Sequence, residues 1–134
     1  MCSRRWPVNP EWIDVDTAIA VHDMQIRRHG GMPGIRDRDA LEACLAQPWS
    51  GFGEVEFYPS VEEKAARLSY EVITQHPFLD GNKRTGLALM LVLLRAYGVR
   101  VVFDHATLYR NILAVAAGDV GYQELLAFIR ASVV

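Results

Sequence analysis

Cysteine, excess charge and long apolar runs are all scarce in this 134-residue chain, and each scarcity excludes a class of protein. Only Cys2 and Cys44 are present, too few for a disulfide-dense scaffold, so no disulfide framework is expected. Cys44 stands beside Leu41 and Leu45 in a helical pattern and reads as a core residue, since no paired His signature marks it as a nucleophile. Lys plus Arg number 14 against 16 Asp plus Glu, a net charge of −2, so no overall basic field exists to hold nucleic acid or an acidic membrane surface. The longest apolar run, 87–94, stops at Arg95, well short of the roughly 20 residues that a bilayer span needs. The opening Met-Cys-Ser-Arg-Arg-Trp-Pro has no apolar stretch of signal-peptide length behind it, which points to the cytoplasm. Neither G-x-x-x-x-G-K-S/T nor G-x-G-x-x-G occurs, and no His/Cys set has zinc spacing, so P-loop, Rossmann and zinc sites are excluded.

What is present is an ordinary globular composition, 51% hydrophobic and 22% charged, of a length that buries about two thirds of its unfolded surface in one core. One domain over 1–134 is expected. Asp14 or Asp16 can cap a helix over 16–29 that ends at Gly30-Gly31, and Asp37 caps a second helix with Leu41, Cys44 and Leu45 on one face, stopped by Pro48. Glu54 to Tyr58 alternates polar and apolar residues and predicts an exposed strand or hairpin, a flap carrying Val55 and Phe57. Ser60-Val-Glu-Glu63 is a capping box opening a helix that cannot run far past Gln75, because Pro77 pushes His76 towards an extended conformation. Residues 85–97 are apolar nearly all round and predict a central helix buried on every side. A short β-favouring stretch at 99–103, a helix over about 105–117 and a last helix through Tyr122, Leu125, Leu126 and Ile129 complete an all-α domain with one small β feature. Trp6, Trp12 and Trp49 read as hydrophobic anchors, and His22, His29 and His105 as ordinary helix residues.

The loop between the two best-defined helices, His76-Pro-Phe-Leu-Asp80-Gly81-Asn82-Lys83-Arg84-Thr85, concentrates several kinds of site residue. Lys83 and Arg84 stand at the positive end of a helix dipole, a placement that costs about 0.3–1 kcal/mol each unless an anion occupies the site. Helix-terminal amides, the Lys charge and the Arg fork would then converge on phosphate oxygens, with Gly81 allowing close backbone approach. Asn82 suits an N-cap that also donates to phosphate, and Asp80 is a hard oxygen ligand for Mg²⁺. His76, with the ordinary histidine pKa near 6.5, suits a general base. Taken singly, a His before Pro or an Asn-Lys-Arg helix start is more often a solvated surface feature; their coincidence in nine residues reverses that balance.

At these residues the sequence resembles the Fic/Doc superfamily, whose signature His-x-Phe-x-Asp/Glu-Gly/Ala-Asn-x-Arg is matched by His76, Phe78, Asp80, Gly81, Asn82 and Arg84. Gly30-Gly31-Met-Pro-Gly34-Ile-Arg-Asp37, the Tyr58-Pro59 entry and Thr85-Gly-Leu-Ala look like the Doc (death on curing) branch. The resemblance implies a compact Fic-fold helical domain whose loop binds ATP with Mg²⁺ and whose flap docks a target protein through Val55 and Phe57. It assigns His76 as base and Arg84 as its catalytic companion, Asp80 to Mg²⁺, and Gly81, Asn82, Lys83 and Arg84 to the phosphates. Relatives that transfer AMP usually carry Gly after the Asn and a second Arg three residues past the first, where this chain has Lys83 and Leu87. Both departures imply a Doc-like toxin that transfers the γ-phosphoryl group to a Thr of elongation factor Tu and so arrests protein synthesis. AMP transfer to a protein hydroxyl and a degenerate binding module are the alternatives. No inhibitory Ser/Thr-x-x-x-Glu-Gly/Asn motif is found, since Ser50 and Glu54 are followed by Val55, which implies restraint by a separate Phd-like antitoxin that folds on binding.

Overall fold

The computed structural model describes residues 13–134, so Cys2, Trp6 and Trp12 lie outside the described residues. In chain order the elements are α1 (Val15–His29), α2 (Arg38–Ala46) with a 3-10 turn (Gln47–Trp49), the strands β1 (Gly51–Phe52) and β2 (Val55–Glu56), then α3 (Val61–Gln75), α4 (Asn82–Ala96), α5 (His105–Ala117) and α6 (Tyr122–Ser132). The fold is all-α with a small β-flap, as the sequence predicts. Four helix starts are fixed by local chemistry: Asp14 accepts from the Thr17 amide at 2.8 Å, Asp37 from Ala40 at 3.0 Å and Asp104 from Thr107 at 3.0 Å, while Ser60 and Glu63 exchange both bonds of a capping box. Each such cap contributes about 1 kcal/mol.

Helices α3 and α4 form the centre, with Leu68, Val72 and Ile73 of one and Leu89, Met90 and Leu93 of the other wholly buried. Their approach is close because Gly86 has no side chain: a Cβ there would stand 2.8 Å from Ile73 Cγ1 and 3.2 Å from the Ser69 carbonyl oxygen. Helices α1 and α5 pack on α4 as well, whereas α2 and α6 pack on α3. Cys44 is buried in this core, and burial pushes its thiol pKa up to about 12.

Helix α4 departs from the expectation in one respect: it is not buried on every side, for Leu91 and Val92 remain 37% and 39% exposed. Apolar composition all round a helix signals enclosure only where neighbours exist all round, and α1, α3 and α5 leave one flank open. That flank, with Val102 and His105, borders a groove of about 760 Å³. The β-favouring stretch makes one isolated bridge, Val101 to Val133, flanked by bonds from Val102 to Ser132 and from Val134 to Arg100.

The flap is a hairpin with Gly51 opposite Glu56 and Phe52 opposite Val55, extended by a bond from the Phe57 amide to the Ser50 carbonyl at 3.1 Å. Its strands are shorter than the alternation suggests, because Gly53 and Glu54 make the turn and Glu54 leaves the strand. No helix among the described residues is long and apolar enough to cross a membrane.

Gly86→Val drives two branches into the α3 contact, and overpacking of this kind costs about 1–3 kcal/mol. The variant is expected to unfold at lower urea than the wild type, with an unchanged m-value; an equal midpoint would show that α3 and α4 separate freely.

Candidate active site

The loop joining α3 to α4 begins with a sharp reversal. The Pro77 ring excludes an α conformation at His76, yet His76 is left-handed (φ 53°, ψ 57°) rather than extended, the one non-glycine residue at positive φ among the described residues. The cause lies 40 residues earlier, in Arg36. Its guanidinium donates to the carbonyls of Gln75 at 2.8 Å and His76 at 2.5 Å, while the His76 amide still reaches Val72 at 3.3 Å, so residue 76 closes the helix as a left-handed cap. A cation at this negative end of the α3 dipole is also electrostatically well placed. The His76 side chain is left at the surface.

Beyond Pro77, the glycine-rich segment 31–37 runs beside the loop. Pro77 accepts from the Arg36 and Asp37 amides at 2.8 and 3.1 Å, Leu79 donates to Gly34 at 3.1 Å, and Ile35 bridges to Phe78. Phe78 is buried, its ring stacked on His22 of α1 at 3.9 Å and 4°. The Asn82 side chain closes the turn, accepting from the Phe78 amide and donating to the Phe78 carbonyl, both at 3.0 Å.

That closure changes the role expected of Asn82. The N-cap of α4 is Gly81, in the left-handed conformation, and Asn82 is the first helical residue with its amide group turned inward and nearly buried. A side chain turned inward to Phe78 leaves Asn82 its backbone N–H as the donor at the helix mouth. The first intrahelical bond is Thr85 to Gly81 at 2.9 Å, so the amides of 82–84 have no partner within the helix. Thr85 itself is fully buried, with no hydrogen-bond partner for its hydroxyl among the described residues.

Asp80 is exposed and doubly held, accepting from the Met32 amide at 3.1 Å and the Gly81 amide at 2.8 Å. Those two amides, helped by the charge of Lys83, lower its carboxyl pKa below the usual value of 3.8. Gly31 makes room, since a Cβ there would stand 2.9 Å from Asp80 Oδ2. On its other side the Asp80 carbonyl accepts from His22 Nε2 at 2.8 Å, which places the ring proton on that nitrogen. Lys83 and Arg84 are exposed, and among the described residues neither side chain makes a hydrogen bond or an ion pair. Two such cations stand at the positive end of α4, where the nearby Asp80 carboxylate offsets only the charge of Lys83.

Among the described residues, no three His, Cys, Asp or Glu side chains converge as a metal-ligand set. A single exposed, firmly ionised carboxylate instead suits a hard ion such as Mg²⁺, which keeps its waters and takes phosphate oxygens as its other ligands.

Residues 76, 80, 83 and 84 thus come from one loop and one helix start, all exposed. Val55 and Phe57 lie on the hairpin, 64% and 54% exposed. Phe52, opposite Val55 and 81% exposed, belongs with them, though it falls outside the 54–58 alternation that predicts the flap. His22 and Arg36 are likewise part of the site's frame.

The fold and this loop define the class. The Fic/DOC family profile matches residues 12–94, and the chain belongs to that family, on its Doc branch. Among its relatives, the chain is 33% identical to "Protein kinase doc" of Escherichia phage P1 over 120 residues, 88% of this chain and 92% of that one. It is 36% identical to "Toxin Doc" of Mycolicibacterium smegmatis over 75 residues, 56% of this chain and 58% of the relative.

Two variants test the frame. An Asp80 pKa lowered by folding means that the ionised form contributes stability above the unfolded value of 3.8, lost as pH falls through the folded value. Asp80→Asn presents an NH₂ to one of two amide donors, so its melting temperature should lie below wild type at neutral pH, the gap closing below pH 3.8; a constant gap would exclude ionisation as the cause. His22→Phe keeps the ring stack but leaves the Asp80 carbonyl without its donor, a loss of about 1–3 kcal/mol with faster amide exchange at Met32 and Gly81.

Proposed function

We propose that this chain is a Doc-like toxin that transfers the γ-phosphoryl group of ATP to a hydroxyl of a translation factor, a Thr of elongation factor Tu, and is restrained by a Phd-like antitoxin. The observation that carries this reading is the pair Lys83 and Arg84, exposed and unpaired beside the ionised Asp80 at the start of α4. The names of the phage P1 and mycobacterial relatives support it.

In this mechanism the amides of 82–84 and the side chains of Lys83 and Arg84 bind the phosphates and neutralise charge that grows on the leaving group. Asp80 would hold Mg²⁺, which would supply further charge neutralisation at the phosphates. His76 Nδ1 or Nε2 takes the proton of the attacking hydroxyl as the new O–P bond forms; the bond from the γ-phosphorus to the β–γ bridging oxygen breaks, and ADP leaves. Orientation and electrostatics then account for most of the rate. Lys83 bears on the choice of phosphate: a bulky cation where AMP-transferring relatives carry Gly would crowd the α-phosphate away from His76, and Leu87 supplies no clamp for a pyrophosphate leaving group.

Incubation with a panel of translation factors should mark elongation factor Tu from γ-labelled ATP and not from α-labelled ATP. Label from the α position, or a mass gain of AMP, would establish nucleotidyl transfer instead. Because residue 76 is left-handed, Asn, which tolerates that conformation, replaces it more cleanly than Ala. His76→Asn is expected to lower transfer by about 10²–10⁴-fold with a melting temperature close to wild type. Undiminished transfer would remove His76 from the role of base.

A further inference from the structure

We propose that Lys64, on α3, is the positioning residue that fixes which face of the hairpin meets the protein target; this rests on the reading that the hairpin docks that target. Lys64 is only 3% exposed and lies on the same stripe of α3 as the buried Val61, Ala65 and Leu68. Its ammonium has three protons and three acceptors, all in the chain that carries the hairpin: the Pro48 carbonyl at 3.4 Å, Glu56 Oε1 at 2.7 Å and the Tyr58 carbonyl at 2.5 Å. Pro48 precedes β1 and Tyr58 follows β2, so one charge ties both ends of the hairpin and its second strand to α3. The ammonium also stands 5.8 Å from the centre of the Trp49 ring.

The hairpin register explains why this matters. Cross-strand partners and residues two apart share a face, so Phe52, Val55 and Phe57 lie on one side and Glu56 on the other. Left to hydrophobic burial, two strands of two residues each would turn the Phe52, Val55 and Phe57 side against α3. Rolling over in that way would strip a buried ammonium of its carboxylate, which the low-dielectric surroundings oppose. The Lys64–Glu56 pair therefore holds the polar face inward and the apolar face outward, available to a target strand or surface. Tyr58, edge-on to Tyr122 at 5.4 Å and beneath the Arg67 guanidinium at 5.3 Å, secures only the C-terminal end of the flap.

The test compares full-length wild type with Lys64→Met and Lys64→Arg by hydrogen exchange and by transfer kinetics. In Lys64→Met the Phe57 amide should exchange about tenfold faster, with α3 and α4 unchanged. KM for the target protein should rise about fivefold or more while kcat and KM for ATP stay within about twofold, and Lys64→Arg should restore most of the difference. Should Lys64→Met fail to fold, Glu56→Ala, at the half-exposed end of the pair, is expected to give the same split. Unchanged hairpin exchange, equal loosening of α3 and α4, or an unchanged KM with a loosened hairpin would each overturn the proposal. A wild type that modifies no target would sink the functional reading instead, and the exchange comparison then decides alone whether Lys64 fixes the hairpin.

Discussion

The two hydrogen bonds between the Asn82 side chain and the backbone of Phe78 are the constraint on which the site depends. They pair the backbone N–H and C=O of one buried residue with the oxygen and the nitrogen of one side-chain amide, so neither backbone group is left unsatisfied beneath the surface. Closing 78 to 82 forces the chain to reverse within Asp80 and Gly81, and that reversal turns the Asp80 carboxylate outward. It also frees Gly81 to act as a backbone cap, since the side chain that would ordinarily cap the helix is engaged elsewhere. The amides of 82–84 are then left for whatever occupies the mouth of α4.

A turn closed from within still needs a frame, and here it comes from distant segments. His22 supports the loop from α1 by stacking on Phe78 and donating to the Asp80 carbonyl. Met32 and Gly34 hold it from the glycine-rich segment, and Arg36 fixes the carbonyls on either side of the left-handed His76. Most of these bonds go to backbone carbonyls, and the Met32 amide alone holds a group that faces outward, the Asp80 carboxylate. A reacting group held to within a few tenths of an ångström requires such support, because loops alone do not supply it.

This division explains what the sequence makes legible. The caps at Asp14, Asp37, Ser60 and Asp104 are chemistry between residues three apart, and so are visible as patterns. The motif loop is visible for the same reason, being nine consecutive residues. His22 and Arg36 act across 58 and 40 residues, and nothing local distinguishes them from other polar residues of a helix or loop. Lys64 leaves a faint trace, a lysine on an apolar stripe. The open flank of α4 could not be foreseen either, for the number of neighbours around a helix is a property of the packed domain.

Lys64 and the Lys83–Arg84 pair show opposite treatments of positive charge in one small domain. Lys64 is buried and fully paired, and its pairing holds an apolar surface outward against the tendency of that surface to bury itself. Lys83 and Arg84 are exposed and unpaired, facing the positive end of a helix that disfavours them. Both arrangements sacrifice stability relative to simpler alternatives, an apolar residue at 64 and neutral residues at 83 and 84. Local rules of stability are thus broken at the hairpin and at the start of α4, as they are at the left-handed His76 and at the buried hydroxyls of Ser69 and Thr85, unpartnered among the described residues. Such a distribution is expected where a domain must present one surface to a protein and another to an anion, since unsatisfied charge and exposed apolar area are what each partner would compensate.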